Sequence, residues 1–385
     1  MTAVLAGPSR RASLFLTGGG LCNGRAPRAL LAGSHWGELK MPGKRSAYAS
    51  TTLVFQAATV TLLLALSLSA PAAAQVRLIM GTTSSKASAE GVTGDKFAEL
   101  VKQKTNGEVT IEVHYGSLGA EAALAEAVMS GAVDFGNMAG SNATRFSNAY
   151  LVFDLPFLFK NYDNMLKALD GPIGRKAIAQ FEADTGLKVL MPISLGSGRD
   201  IQTRNKQLKV PADIKGLKIR AVATPVDVGT FKAWGANPTP LADFGQLYTA
   251  LQQGVLDGEG ISIGAVLAAK HYEVIKYNLR IDYQMLFTQL FVNAKKFSSL
   301  SAAHQKALLE AAEETKQWEY AYARTDLRDR AVRELGTLGV TIYTPTPEEY
   351  AQWASIREQV WKDVAAQLGA RLDLNLARQL YEQQD

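Results

Sequence analysis

Apolar side chains fall on every second position at Val109, Ile111, Val113 and Tyr115, the period of a strand with one face covered. The period changes on either side. Phe97, Leu100 and Val101 share one helical face, which Thr93-Gly-Asp95 can cap and Asn106-Gly107 ends; Leu124, Val128 and Met129 mark a second helix over Ala122–Ser130, stopped by Gly131. Short apolar runs at Val76–Gly81 and Val133–Met138 read as buried strands. The order strand, helix, strand, helix, strand predicts parallel βαβ units with right-handed crossovers.

Further on the pattern is broken by proline. Phe153–Phe159 (FDLPFLF) is apolar throughout, but Pro156 argues against a central strand, so a packed loop is expected. Leu187–Met191 and Leu217–Val222 predict strands, Phe244–Gln253 and Val266–Ile275 helical stretches, and Leu286–Asn293 a strand returning the chain to its first lobe. Ser301–Leu335 holds no proline and a single run of helical periodicity, about 50 Å at 1.5 Å per residue, long enough to tie two lobes together. A short strand at Val340–Tyr343 and helices around Glu348–Leu368 complete the pattern.

Charge changes the picture at the N-terminus. Residues 1–75 carry seven Lys or Arg and one acid; taking these from the chain's 41 basic and 36 acidic residues leaves 34 and 35, a net of −1. Nothing in that remainder favours nucleic acid or anionic lipid. From Met41, a basic Lys44-Arg45, an apolar Leu53–Leu68 and the small residues Ala70–Ala74 read as a secretory signal over residues 41–74, cleaved after Ala74. Residues 1–40 are expected to be a mis-assigned extension with Met41 the true start, although Ser9–Phe15 resembles a twin-arginine export motif. The only cysteine, Cys22, lies in that segment, so the mature chain is expected to have no disulfide and no thiol nucleophile.

The most informative candidate for chemistry is Arg220, at the end of the strand Ile214–Arg220 and 30 positions before the run Ala250–Gly260 (ALQQGVLDGEG). A guanidinium is permanently charged and presents a planar fork of donors, which suits carboxylate capture. The competing reading is a salt bridge to Asp or Glu across a cleft. Ser141 and Asn142 follow a strand end, where an α/β lobe opens onto its crevice. Glu259 reads as a solvated loop residue. His114, His271 and His304 are isolated, without the spacing of metal ligands or a general base, and no Gly-rich phosphate loop or G-x-S-x-G elbow is present, so catalysis, a metal and a cofactor are not expected.

Five motifs then occur together in order: FAELVKQKTNGEVTIEVHYGSLG (Phe97–Gly119), FDLPFLF (Phe153–Phe159), GLKIR (Gly216–Arg220), YTALQQGVLDG (Tyr248–Gly258) and YEVIKY (Tyr272–Tyr277). In this the chain resembles the solute-binding proteins of tripartite ATP-independent periplasmic (TRAP) transporters, dicarboxylate-receptor type. The resemblance implies an α/β, two-lobed periplasmic-binding-protein fold with crossover strands and a long lobe-spanning helix, in which residues 76–197 and 287–325 form lobe I and 198–286 and 326–385 lobe II. It also implies a periplasmic receptor that closes on a small organic acid and docks onto small and large membrane permease subunits driven by a sodium gradient. Carried over residue by residue, it makes Arg220 the carboxylate clamp, Arg199 a second arginine and Phe244 an aromatic cover. Asn142 and Tyr283 join them as candidates, Tyr283 standing where a histidine is common. Asp257-Gly-Glu-Gly-Ile261 departs from the family's usual Asp-Gly-Gln-Glu-Asn, putting Ile261 where an asparagine holds the ligand. A two-lobed receptor of an ATP-driven importer or of a sensor system is the alternative, since fold alone does not choose the partner.

Overall fold

Two sheets share this chain, and the strands between them decide where the site lies. The computed structural model describes residues 75–384 apart from 242, all within one unit spanning 72–385. The expected extension, signal segment and Cys22 lie outside the described residues.

The first sheet begins with the βαβ units that the pattern predicts: β1 (Val76–Thr82), α1 (Ala89–Lys104), β2 (Val109–Tyr115), α2 (Glu121–Ser130) and β3 (Phe135–Ala139). β1 lies between β2 and β3 and is parallel to both. Helix α1 starts earlier than Thr93 suggests. Ser88 is its cap, accepting from the amide of Gly91 at 3.1 Å, and Gly91 and Gly94 continue inside the helix. A Cβ at Gly91 would meet the Ser85 carbonyl at 2.4 Å, so this glycine serves close packing rather than helix termination. Gly131 ends α2 in the left-handed region, as expected.

Two helices that the pattern did not predict, α3 (Tyr162–Asp170) and α4 (Pro172–Thr185), lead to β4 (Leu187–Ser194), an edge strand of the first sheet. The chain then crosses to the second sheet with β5 (Asp200–Thr203), β6 (Lys218–Ala221), α5 (Pro225–Ala233) and β7 (Asn237–Pro240). β7 carries Pro238 and Pro240 at the sheet edge, where a missing amide costs little. α6 (Leu247–Gln252), β8 (Gly258–Ile261), α7 (Ile263–Ala268) and β9 (Tyr277–Leu279) follow. The helical stretch expected over Val266–Ile275 is cut short because Lys270 takes φ 59°, turning His271 inward.

β10 (Phe287–Asn293) returns to the first sheet, antiparallel between β3 and β4. A helical run then spans α8 (Ala302–Tyr322), a π-helical segment over Ala323–Asp329 and α9 (Arg330–Thr337). β11 (Thr341–Tyr343) joins the second sheet, so the long helix leaves one sheet and feeds the other, as its length predicts. α10 (Pro347–Ala354), α11 (Arg357–Leu368) and α12 (Leu374–Glu382) end the chain. The sheet orders are β2-β1-β3-β10-β4 and β11-β9-β5-β8-β6-β7.

Each sheet is covered on both faces. Phe97, Leu100 and Val101 of α1 pack with Leu308 and Ala311 of α8 on one side of the first sheet, and Leu124, Phe181 and Phe291 on the other. The FDLPFLF segment is the packed loop anticipated from Pro156. Phe153, Leu158 and Phe159 sit in the core of the first sheet with Trp361 of α11, while Phe157 joins the core of the second. This one segment therefore has side chains in two cores.

Candidate functional site

A cavity of about 380 Å³ lies where strand ends from the two sheets face one another. Its lining includes Arg199, Arg220, Phe244 and Ile261 from the second sheet's side and Asn142, Glu90 and Glu121 from the first. Ligands of open α/β sheets lodge at such strand ends. Of the six residues expected from the sequence to contact a ligand, five meet here, while Ser141, named beside Asn142, is buried and not among the lining residues. Tyr283 is not among the lining residues. It is fully buried in the core of the second sheet, edge-on to Phe231 and Trp234, and its hydroxyl donates to Asp227 at 3.0 Å.

Arg220 is placed by β6, whose parallel neighbours set it opposite Glu259 on β8 and Thr239 on β7. Its Nε donates to the Leu241 carbonyl at 3.2 Å, and among the described residues it forms no ion pair. Arg199 precedes β5, and one of its terminal nitrogens donates to the Gly260 carbonyl at 2.7 Å. Its Nε is buried without a partner. The neighbouring Asp200 does not engage it: that carboxylate accepts from the amides of Ile281 and Asp282 and from Asn278. Both arginines are about 95% buried, at 5% and 4% exposure. Burial, and after it the charge of Arg199, lowers the pKa of Arg220 from its very high ordinary value. A guanidinium stays protonated through such a shift.

Gly260 leaves no room for a side chain. A Cβ there would stand 2.3 Å from the Tyr283 hydroxyl and 2.9 Å from the Phe231 ring. Beside it, Glu259 is wholly buried rather than solvated, because His271 reaches it. The imidazole Nδ1 lies 2.9 Å from both carboxylate oxygens. Phe244 stacks on that imidazole, with ring centroids 5.6 Å apart and planes at 24°. The aromatic wall of the cavity is thus backed by a buried acid–histidine pair. The two partners lie twelve positions apart, a spacing that carries no sequence signal.

On the opposite wall, Asn142 is committed to the protein. Its amide nitrogen donates to Glu121 Oε2 at 2.7 Å, and the Ala139 amide donates to the same oxygen at 3.1 Å. Burial raises the pKa of Glu121, while these two hydrogen bonds pull it back. Glu90 accepts from Thr288 at 3.4 Å. Glu90, Glu121 and the hydroxyls of Thr83, Ser84, Ser85 and Ser88 were missed in the sequence. The signal that could have found them is positional: each lies between a strand end and the first turn of the helix after it. Among the described residues no cluster of His, Cys, Asp or Glu could hold a metal ion, and no helix is long and apolar enough to cross a membrane.

The DctP family model, for bacterial extracellular solute-binding proteins of family 7, matches residues 80–368. The chain is 30% identical over 306 residues to the 2,3-diketo-L-gulonate-binding periplasmic protein YiaO of Escherichia coli K12, covering 78% of this chain and 92% of that one. It is 30% identical over 316 residues to the C4-dicarboxylate-binding periplasmic protein DctP of Rhodobacter capsulatus, covering 80% and 92%. A TRAP periplasmic solute-binding protein from Shewanella oneidensis with bound succinate superposes with a TM-score of 0.74 at 26% identity, covering 81% of this chain and all of that one. These relatives are binding proteins rather than enzymes.

Proposed function

The chain belongs to family 7 of the bacterial extracellular solute-binding proteins, and from that premise we propose that it is the periplasmic receptor of a TRAP transporter. It binds a small organic acid between its two sheets and hands it to the small and large membrane permease subunits. The ligands named for these relatives, 2,3-diketo-L-gulonate, C4-dicarboxylates and succinate, are all carboxylates, which supports this reading.

One observation carries the proposal. Two guanidiniums, each about 95% buried, line one cavity, and neither has an ion-pair partner among the described residues. Buried charges in folded proteins are ordinarily paired. A ligand carboxylate supplies the missing partner, with Arg220 as the principal contact, Arg199 beside it, and Phe244 and Ile261 as the apolar wall. Asn142 acts through Glu121, and Tyr283 through the packing behind Gly260.

The test is calorimetry on the purified protein with an acid found in a thermal-shift screen of organic acids. Removing one partner of a buried charge pair costs about 2–5 kcal/mol. Arg220→Ala is therefore expected to weaken binding by roughly thirtyfold to several thousandfold, at about 1.4 kcal/mol per tenfold. A dissociation constant within about threefold of wild type would move the clamp elsewhere.

A further inference from the structure

Opposite the arginines the cavity is acidic. Glu90 stands in the first turn of α1 and Glu121 in the first turn of α2, and both line the cavity. Asp243 lines it from the second sheet's side. Three carboxyl groups and two guanidiniums thus surround one space. The two helix N-termini are where a second carboxylate of a ligand would gain most, because their free amides and aligned dipoles favour negative charge. In this chain each of those ends already holds a carboxyl group of its own.

Glu121 is also held in a definite orientation. Its Oε2 accepts from both Asn142 and the Ala139 amide, at 2.7 and 3.1 Å, while Oε1 makes no hydrogen bond among the described residues. Fixing one oxygen fixes the direction of the other. A carboxylate oxygen is an acceptor only, so it rewards a donor on the ligand and opposes another anion, and like charges brought together across an interface are a strong source of discrimination.

Resting on the carboxylate reading above, we propose that Glu121, supported by Glu90, sets specificity by selecting a monocarboxylate whose far end bears hydrogen-bond donors, hydroxyl or ammonium, and rejecting a dicarboxylate. Asn142 is the positioning residue that aims Glu121.

Three acids of four carbons separate the possibilities: succinate, D-erythronate and 4-aminobutyrate. Each presents one carboxylate to the arginines; succinate ends in a second carboxylate, 4-aminobutyrate in an ammonium, and erythronate in a hydroxyl, with two more hydroxyls along its chain. Calorimetry on the purified protein is expected to show erythronate or 4-aminobutyrate binding at least tenfold more tightly than succinate, and which of the two leads identifies the donor. Glu121→Gln keeps the side chain's size and can still accept from Asn142 and Ala139, but turns an amide donor toward the ligand. It is expected to bring succinate to within threefold of the preferred acid, with thermal unfolding confirming a folded variant. Glu90→Gln, further from the Asn142 anchor, is expected to shift the ratio the same way by less, and carries the test should Glu121→Gln not fold. A wild-type preference short of tenfold, a ratio unchanged in the variant that folds, or no binding of any of the three would overturn the inference. Arg220→Ala separates this from the reading beneath it. If succinate is preferred yet the variant loses it, the carboxylate clamp stands and the specificity inference falls; if the variant binds as wild type does, the clamp itself falls.

Discussion

Arg199 and Arg220 are held differently by the protein, and this ranks their expected contributions. Arg199 already spends one terminal nitrogen on the Gly260 carbonyl, whereas the only side-chain hydrogen bond of Arg220 among the described residues is the Nε bond to Leu241. Both terminal nitrogens of Arg220 are thus without a hydrogen bond among the described residues, and under the proposed carboxylate clamp Arg199→Ala is expected to weaken binding less than Arg220→Ala, and Arg220→Lys to recover only part of the loss because a point charge lacks the planar fork; calorimetry on the three variants checks the order. Two other buried residues bear on pH. Burial raises the carboxyl pKa of Asp154 to about 8 and that of Asp200 to about 7. Both values lie above the ordinary 3.8, so as pH rises the unfolded chain gives up these protons first. Stability from these groups is therefore greatest on the acid side and falls between about pH 4 and pH 8. Asp154→Asn preserves the hydrogen bond from Gln284, now 2.8 Å, and removes the titration. Its melting temperature is expected to fall less than that of wild type between pH 5 and pH 8; equal slopes would mean that Asp154 is ionised without cost.

At the scale of elements, periodicity served best where helices and strands are long. The β1–α1–β2–α2–β3 order and the helical run after Ser301 were legible because each buries a continuous stripe. The start of α1 was not, since Gly91 and Gly94 suggest interruption and only packing against Ser85 and Met80 shows why a glycine is needed. The π-helical segment was likewise hidden. It lies where the long helix meets the crossing after β4: Gly196 has φ 75°, and a Cβ there would stand 2.5 Å from the Ala323 carbonyl. Gly216 has the same φ of 75° but open space around it. Gly216→Ala is expected to cost about 1–2 kcal/mol, the penalty of a left-handed residue alone. Gly196→Ala should cost more, because backbone must also move. Urea unfolding of the two variants compares them, and equal losses would remove the role given to the contact with Ala323.

For the whole molecule, the chain passes between its sheets after β4, before β10 and along the long helix. Short crossings of this kind act as hinges in two-lobed receptors, with bending proposed near Gly196–Gly198 and Phe287. Saturating ligand is expected to reduce the radius of gyration measured by X-ray scattering, and profiles that coincide with and without ligand would argue for a rigid cavity. The sequence by itself determined the α/β class, the strand that returns to the first sheet, the length of the lobe-tying helix and the position of Arg220 on a strand. Each of these depends on local periodicity, on chain length or on the chemistry of one side chain. The tertiary structure alone decided which groups meet. Glu259 found His271, Asn142 turned to Glu121, and Tyr283 left the cavity for Asp227. Those pairings span 12, 21 and 56 residues. They arise because a buried polar group must find a partner wherever packing brings one, and no local pattern records where that is.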